Sequence, residues 1–524
     1  MRIVGLVAAA SVLAGSAFAA EMPRPSLAEI RTLDATGSTF AKAAGSAATE
    51  TVSRRRGPNA VANFGAVAPV AGWTITQVGD VVFLQDDGTH GCDGDLSNEW
   101  FSTCMAGTDA ALDAFYAAYP DANPGYASFY LAWDINAFFA FYQPIANDVD
   151  GIGSQKHGNA NSLNGLIFMN SVDLYSSYGP EYRDLMFDMI WGQEFGHRWG
   201  AFVRFIDEDG AVSEELLGRD ESHWSYFLDS DWSWMEGNDW KDAGSGHYTT
   251  ELDTFMTPGY GYSQLDMYLM GFLPPSGVDD FFFLRNPSGS TDPEDPPAAM
   301  MGQPETVTAK KVWVGIDQII ANEGERNPTF KNTDRHFQVA NLVILRSTDS
   351  ITEVLRSDMA DYNEWSSTHF ARDAFELAYV ETTIGTPLPN VAPSAMLDLP
   401  AEGKEDGDAV TLSASGSTDP ESQKLSYVWD FGDGTADYTT GPVVDHVFKA
   451  DGALTVTVVV VDAMGQSAST SGSITVAKAD GDGGGGGPFG CSVSGTPADA
   501  IPTASMALLG LASALGLALR RRTN

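Results

Sequence analysis

Short apolar runs separated by turn chemistry fill the first half of the chain. Trp73-Thr-Ile-Thr and Asp80-Val-Val-Phe-Leu84 read as strands, and Ala110 to Tyr119 as a helix. The aromatic-rich stretch from Phe129 to Phe141 reads as buried, and Asn164-Gly-Leu-Ile-Phe-Met-Asn170 as a core strand that follows the turn residues Asn147-Asp-Val-Asp-Gly-Ile-Gly153. The period then changes. Leu185, Met186, Met189, Ile190, Trp199, Phe202 and Phe205 form an apolar stripe at helical spacing, predicting a helix from Glu181 to Phe205 that stops at Asp207-Glu-Asp-Gly210. Gly192, Gly196 and Gly200 lie inside it, each costing about 1 kcal/mol relative to Ala. Spaced by four, they line one face and predict the close approach of another backbone.

A second change of pattern follows Gly385-Thr-Pro-Leu-Pro-Asn-Val-Ala-Pro393. Beyond it, Ala409-Val-Thr-Leu-Ser-Ala and Leu454-Thr-Val-Thr-Val-Val-Val-Val461 describe short strands of a sandwich. The expected fold is therefore α+β, with a mixed unit over 66–385 and a β-sandwich over 391–478. Residues 21–65, with the basic run Arg54-Arg-Arg56, read as a leader or a pro-segment, and 479–490 as a Gly-rich linker.

Composition narrows the partners. Hydrophobic residues make up 43% of the 524, enough to bury cores, whereas 29 Lys+Arg against 70 Asp+Glu give a net charge of −41. A phosphate backbone needs clustered cations, so this balance argues against nucleic acid. It suits an exported protein kept soluble by its own field, with Ca²⁺ on loop carboxylates as a compatible ligand. Arg2, the apolar run from Ile3 to Leu13 and the small residues before Glu21 read as a secretory signal peptide over 1–20. Export brings oxidising conditions, which makes Cys92 and Cys104, close in sequence, candidates for a disulfide contributing roughly 3 kcal/mol. Cys491 stands apart, ahead of a 16-residue apolar run from Ala504 to Leu519 and Arg520-Arg-Arg522. That run is short for a span of about 20 residues.

The candidate chemistry lies in Trp191-Gly-Gln-Glu-Phe-Gly-His-Arg-Trp-Gly200. In a zinc-peptidase helix, two histidines four residues apart bind the metal and the Glu after the first acts as general base. Here Glu194 stands at the base position and His197 at the second ligand, while Gln193 replaces the first His. A neutral amide oxygen is a weaker zinc ligand than imidazole. A third ligand must come from elsewhere: His223 is the first candidate and Glu236 the runner-up, and His223 followed by Met235 resembles, at a far longer spacing, the order in metzincins, in which a Met-turn underlies the metal. His90, His157, His247, His336 and His369 have no paired spacing, and no Ser or Cys nucleophile motif or phosphate loop appears.

Three stretches resemble known families. Tyr427-Val-Trp-Asp-Phe-Gly-Asp-Gly434, His446-Val-Phe, Gly452-Ala-Leu-Thr-Val and Val461-Asp-Ala-Met-Gly465 resemble the polycystic kidney disease (PKD) repeat, which implies an immunoglobulin-like β-sandwich with Trp429 and Phe431 in its core. Residues 491–524, with Cys491, apolar helix and arginines in that order, resemble the sorting signal of myxobacterial surface proteins. The resemblance implies cleavage and lipidation near Cys491 and a surface-membrane anchor; a plain membrane anchor is the alternative. Gln193-Glu-Phe-Gly-His-Arg-Trp-Gly200, His223-Trp-Ser, Met235-Glu-Gly-Asn238 and Leu265-Asp-Met-Tyr-Leu-Met-Gly271 look like a family of secreted myxobacterial metalloproteases, which implies a zincin-like fold and a zinc endopeptidase acting on protein or peptide substrates. Because Gln193 departs from that pattern, a non-catalytic pseudopeptidase and a surface adhesion protein remain the competing readings.

Overall fold

In the computed structural model, the described residues are 65–477 except 71, 94–99, 136–139, 157–162, 181, 232, 252–260, 299–303, 386–387, 401–403 and 406–408. The expected signal peptide, leader, linker and sorting tail with Cys491 lie outside them, as does His157. Among the described residues, no helix is long and apolar enough to cross a membrane.

An eight-stranded mixed sheet organises the first unit. Its middle strand, His336–Leu345, lies parallel to both Val81–Asp86 and Tyr126–Leu131, and Gly165–Ser171 pairs parallel to the latter. Buried on both faces, these strands are near-continuous apolar runs rather than alternating ones. The antiparallel ribbon Gly65–Val70, Trp73–Val78 and Val81–Asp86 closes one edge, and Phe141–Pro144 closes the other. The expected strands at 73, 80 and 164 are therefore present. The expected helix at 110–119 is longer, Trp100–Ala118, and Phe141 at the end of the aromatic stretch is only half-buried. Cys92 is disulfide-bonded; the side chain of Cys104 lies outside the described residues.

The helix carrying the motif is shorter than its apolar stripe predicts: it spans Arg183–Gly196, not Glu181 to Phe205. Gly196 and Gly200 weaken the last turns, His197 becomes the C-cap, and the chain leaves through Trp199 toward a short strand at Phe205–Ile206. Phe195 points into the core against Tyr126, Trp199, Phe337 and Phe370, all with ring centroids 5.0–5.6 Å away. Phe187 stacks on Tyr362 of the long helix Glu353–Asp373 at 4.7 Å. These contacts, not helix propensity, hold the glycine-rich segment in place.

The C-terminal unit is a β-sandwich. Leu425–Asp430, Gly452–Asp462 and Ser467–Ala477 lead one sheet, and Ala409–Ser413 pairs with Val443–Val447 in the other. Trp429 and Phe431 are buried in its core, as expected. In Gly452–Asp462, Val456, Val458 and Val460 face that core, whereas Val459 and Val461 join the core of the first unit with Val428. Tyr438 packs on Phe375 at 5.0 Å across the same boundary. The unbroken Val458–Val461 run is thus a strand covered on both faces.

Candidate functional site

Three segments converge beside the end of the motif helix. The helix brings Gln193, Glu194 and His197; the turn after Gly218 brings Arg219 and His223; the turn Ser233–Glu236 brings Met235 and Glu236. Gln193, Glu194, His223 and Glu236 are buried, and His197 is the partly open member.

The glycines explain how these segments fit. A Cβ on Gly192 would stand 2.9 Å from the Trp234 ring, and one on Gly196 2.4 Å from Met235 Sδ. The close approach expected along this face therefore comes from side chains of the Ser233–Glu236 turn rather than from another backbone. Met235 lies against the helix end, its Sδ beside Gly196. The turn is braced from below: Ser233 Oγ accepts the Met235 amide at 2.8 Å and donates to Asp266 Oδ2 at 2.5 Å, and Asp266 Oδ1 accepts Trp224 Nε1 at 2.8 Å. Asp266 also forms the capping box of the helix Gln264–Met270 with Ser263. Tyr262 donates to the carbonyl of Gly192 at 2.7 Å, and Trp234 to Asp373 at 2.8 Å.

The two imidazoles meet edge to face, with centroids 4.8 Å apart and planes at 88°. His223 Nδ1 lies 2.9 Å from the carbonyl of Arg219, and His197 Nδ1 lies 3.2 Å from the carbonyl of Gly200. A carbonyl can only accept, so each Nδ1 carries the proton and each Nε2 keeps its lone pair. Burial and the nearby Arg219 guanidinium favour the neutral rings: His197 is pushed down to about 4 despite the Gly200 carbonyl, and His223 well below the usual range.

Glu236 completes the group. It is buried at φ +76°, left-handed backbone that a non-glycine residue holds only under constraint. Its Oε1 is 3.9 Å from His223 Nε2, accepts Gln193 Nε2 at 3.3 Å and contacts the Arg219 guanidinium. Burial raises Glu236 to about 7, against the opposing pull of Arg219 and Gln193. Burial likewise raises Glu194 to about 8, with Arg219 opposing and Glu236 adding.

These donors fit a zinc ion in kind. Neutral imidazoles held at Nδ1 by backbone carbonyls are the usual state of metal-ligating histidines. Two ligands at zinc–ligand distances of 2.0–2.1 Å stand about 3.3 Å apart in a tetrahedron. The 3.9 Å between His223 Nε2 and Glu236 Oε1 is a little wider. Gln193, expected in the metal position, instead gives its amide to Glu236. Among the described residues, the side-chain group closing to within 4.8 Å is another one, Asp229, Asp231 and Asp239. There Lys241 pairs with Asp239 at 2.7 Å and the Trp240 amide donates to Asp229 at 2.8 Å.

Sequence reasoning missed Arg219, Asp266 and Tyr262. Asp266 lies within the Leu265–Gly271 stretch that carried the family resemblance, and Tyr262 three residues before it. The one signal for Arg219 was a cation four residues before His223 in an otherwise acidic run.

Residues 390–477 match the family model described as PKD domain, and this part of the chain is a PKD domain. A microbial collagenase of Vibrio alginolyticus is 36% identical over 69 residues, which is 13% of this chain and 8% of the relative. That match falls within the PKD region, so the chain spans a small fraction of the curated relative's length. Among solved structures, the PKD1 domain of Vibrio anguillarum Epp is similar at 27% identity, covering 17% of this chain and 99% of that one, with a TM-score of 0.15. The PKD1 domain of the Vibrio cholerae metalloprotease PrtV is similar at 28% identity, covering 17% and 99%, with a TM-score of 0.14.

Proposed function

We propose that the first unit is a zincin-like zinc endopeptidase in which Glu236 takes over from the histidine that Gln193 replaces. The observation that carries this reading is the His197–His223 pair, with both Nδ1 atoms held by carbonyls and Glu236 Oε1 3.9 Å from one Nε2. His197, His223 and Glu236 would hold the ion, and Gln193 would orient Glu236 through its amide. When bound, zinc polarises the scissile carbonyl and lowers the pKa of its water toward about 7.

Glu194 does the proton work. It takes a proton from the attacking water, whose oxygen bonds to the carbonyl carbon, and gives a proton to the departing amine as the C–N bond breaks. Its carboxyl, near 8 even with Arg219 opposing, falls into the ionised range when a divalent charge is added nearby. Met235 and the Asp266-braced turn keep the floor of the site fixed, and the partly open His197 marks the side from which substrate and water enter.

The curated relative supports the class: a microbial collagenase shares a stretch of the PKD region. We further propose that the protein is exported through its N-terminal signal and held at the cell surface or outer membrane through processing at Cys491. Its partners are protein or peptide substrates. A metal-free pseudopeptidase is the second reading, favoured by the contact of Arg219 with Glu236. Treatment of the purified chain with a zinc chelator separates the two. Cleavage of an unfolded protein substrate that stops with chelation and returns with zinc supports the peptidase; a chain inert with and without zinc refutes it.

A further inference from the structure

Glu236 Oε1, the oxygen that faces His223 Nε2, is also the oxygen that the Arg219 guanidinium contacts. Arg219 enters from the surface: its side chain is 18% exposed and that of Glu236 2%. The turn that aims it has Asp220 and Glu221 at φ +58° and +50°, two successive non-glycine residues in left-handed backbone. Its own carbonyl accepts the hydrogen bond from His223 Nδ1. One residue therefore fixes an imidazole through its main chain and the carboxylate through its side chain.

We propose that Arg219 is a resident cation of the site, occupying the cation position beside Glu236 and setting the zinc concentration at which the metal can enter. The proposal rests on reading His197, His223 and Glu236 as the metal-binding set. A guanidinium stays charged at every relevant pH, so a divalent ion on Oε1 must displace it rather than wait for it to neutralise. Two positive centres sharing one buried carboxylate oxygen repel strongly where water is excluded. The displaced side chain has a destination: Asp220, the next residue, is an exposed carboxylate on the same turn, whereas Glu221 beyond it pairs with Arg204 at 3.1 Å. The pocket keeps a positive charge in both states, and with it the buried carboxylates stay partnered before metal arrives.

The sign of the effect separates this role from an ordinary supporting one. An outer partner that merely orients a ligand strengthens metal binding, so its removal weakens it. A competing cation weakens binding, so its removal strengthens it. The test uses the full chain with Arg219→Gln and Arg219→Met, the latter close in length and uncharged. Zinc affinity is measured by competition with a chromophoric chelator, and Tm with and without zinc. We expect both variants to bind zinc at least about ten-fold tighter than the native chain, the scale on which outer partners act. We also expect a lower Tm without zinc and a larger rise on adding it. Equal or weaker binding in the variants, with the native chain binding zinc, overturns the competition and leaves the metal site standing. No zinc bound by any of the three chains overturns the metal-site reading, and this proposal with it.

Discussion

His446 and Asp433 in the sandwich form a histidine–carboxylate pair 2.8 Å apart, and the carboxylate also takes the Thr435 hydroxyl at 2.5 Å and the Lys449 amide at 2.8 Å. Burial alone would raise Asp433, but Thr435, His446 and Lys449 outweigh it and leave the carboxyl below its usual range. His446 is stacked on Phe431 at 3.7 Å. The group in the first unit has the same residue types and the opposite balance. There burial wins, Glu194 and Glu236 are held high, and the two imidazoles stay neutral. A histidine beside a carboxylate is therefore not a signal in itself. What separates a fastened turn from candidate chemistry is whether local donors outweigh burial.

Breaking the contrast at its functional end gives the largest effect. Glu194→Gln should lower the cleavage rate of an unfolded protein substrate by about 10²- to 10⁴-fold, the range of general-base contributions, while bound zinc is unchanged. A rate within twofold of native would remove Glu194 from the chemistry.

Varying pH should act on the two groups in opposite senses. For metal-free protein, the raised carboxyl of Glu194 contributes stability that is fully present below its unfolded value near 4.5 and lost as pH rises through about 8. Chemical denaturation from pH 5 to pH 9 should show that decline, and Glu194→Gln should reduce it to the part that Glu236, raised to about 7, contributes. Asp433 is depressed, so its contribution is present above about 4, its unfolded value, and is lost only as pH falls through the lower folded value. A sandwich that loosened with rising alkali instead would contradict this assignment.

Asp433→Ala should lower stability by about 1 kcal/mol, the scale for losing hydrogen bonds to half-buried donors, and should leave cleavage per folded molecule intact. The smallest effect is expected at Gly196→Ala. Helix propensity gains about 1 kcal/mol, but the added carbon would stand 2.4 Å from Met235 Sδ, and such overpacking typically costs about 1–3 kcal/mol. A small net loss of stability, together with weaker zinc binding, is the expected outcome, readable from denaturation and metal titration.

Part of this contrast was legible in the sequence. Gln193, Glu194 and His197 announced themselves through spacing, because four residues on a helix fix relative direction. The order of His223, Met235 and Glu236 marked the segments that meet the helix, and the Trp429–Gly434 stretch identified the sandwich. The helix end was not legible: the stripe continues to Phe205 because Trp199 and Phe205 are core residues reached by a turn and a strand rather than by helix. Arg219 was hidden for a different reason. Its role depends on a turn in left-handed backbone and on a carboxylate 17 positions later, and neither follows from local pattern. Likewise Val458–Val461 reads as a plain sandwich strand until the other unit is seen to cover its outer face.

Zinc content after dialysis at fixed free zinc, measured on the native full chain and on Glu236→Ala, tests the central claim most directly. The account predicts one zinc per native chain and none retained by Glu236→Ala, with both proteins folded. Equal zinc in the two, or none in the native chain at saturating metal, would contradict it.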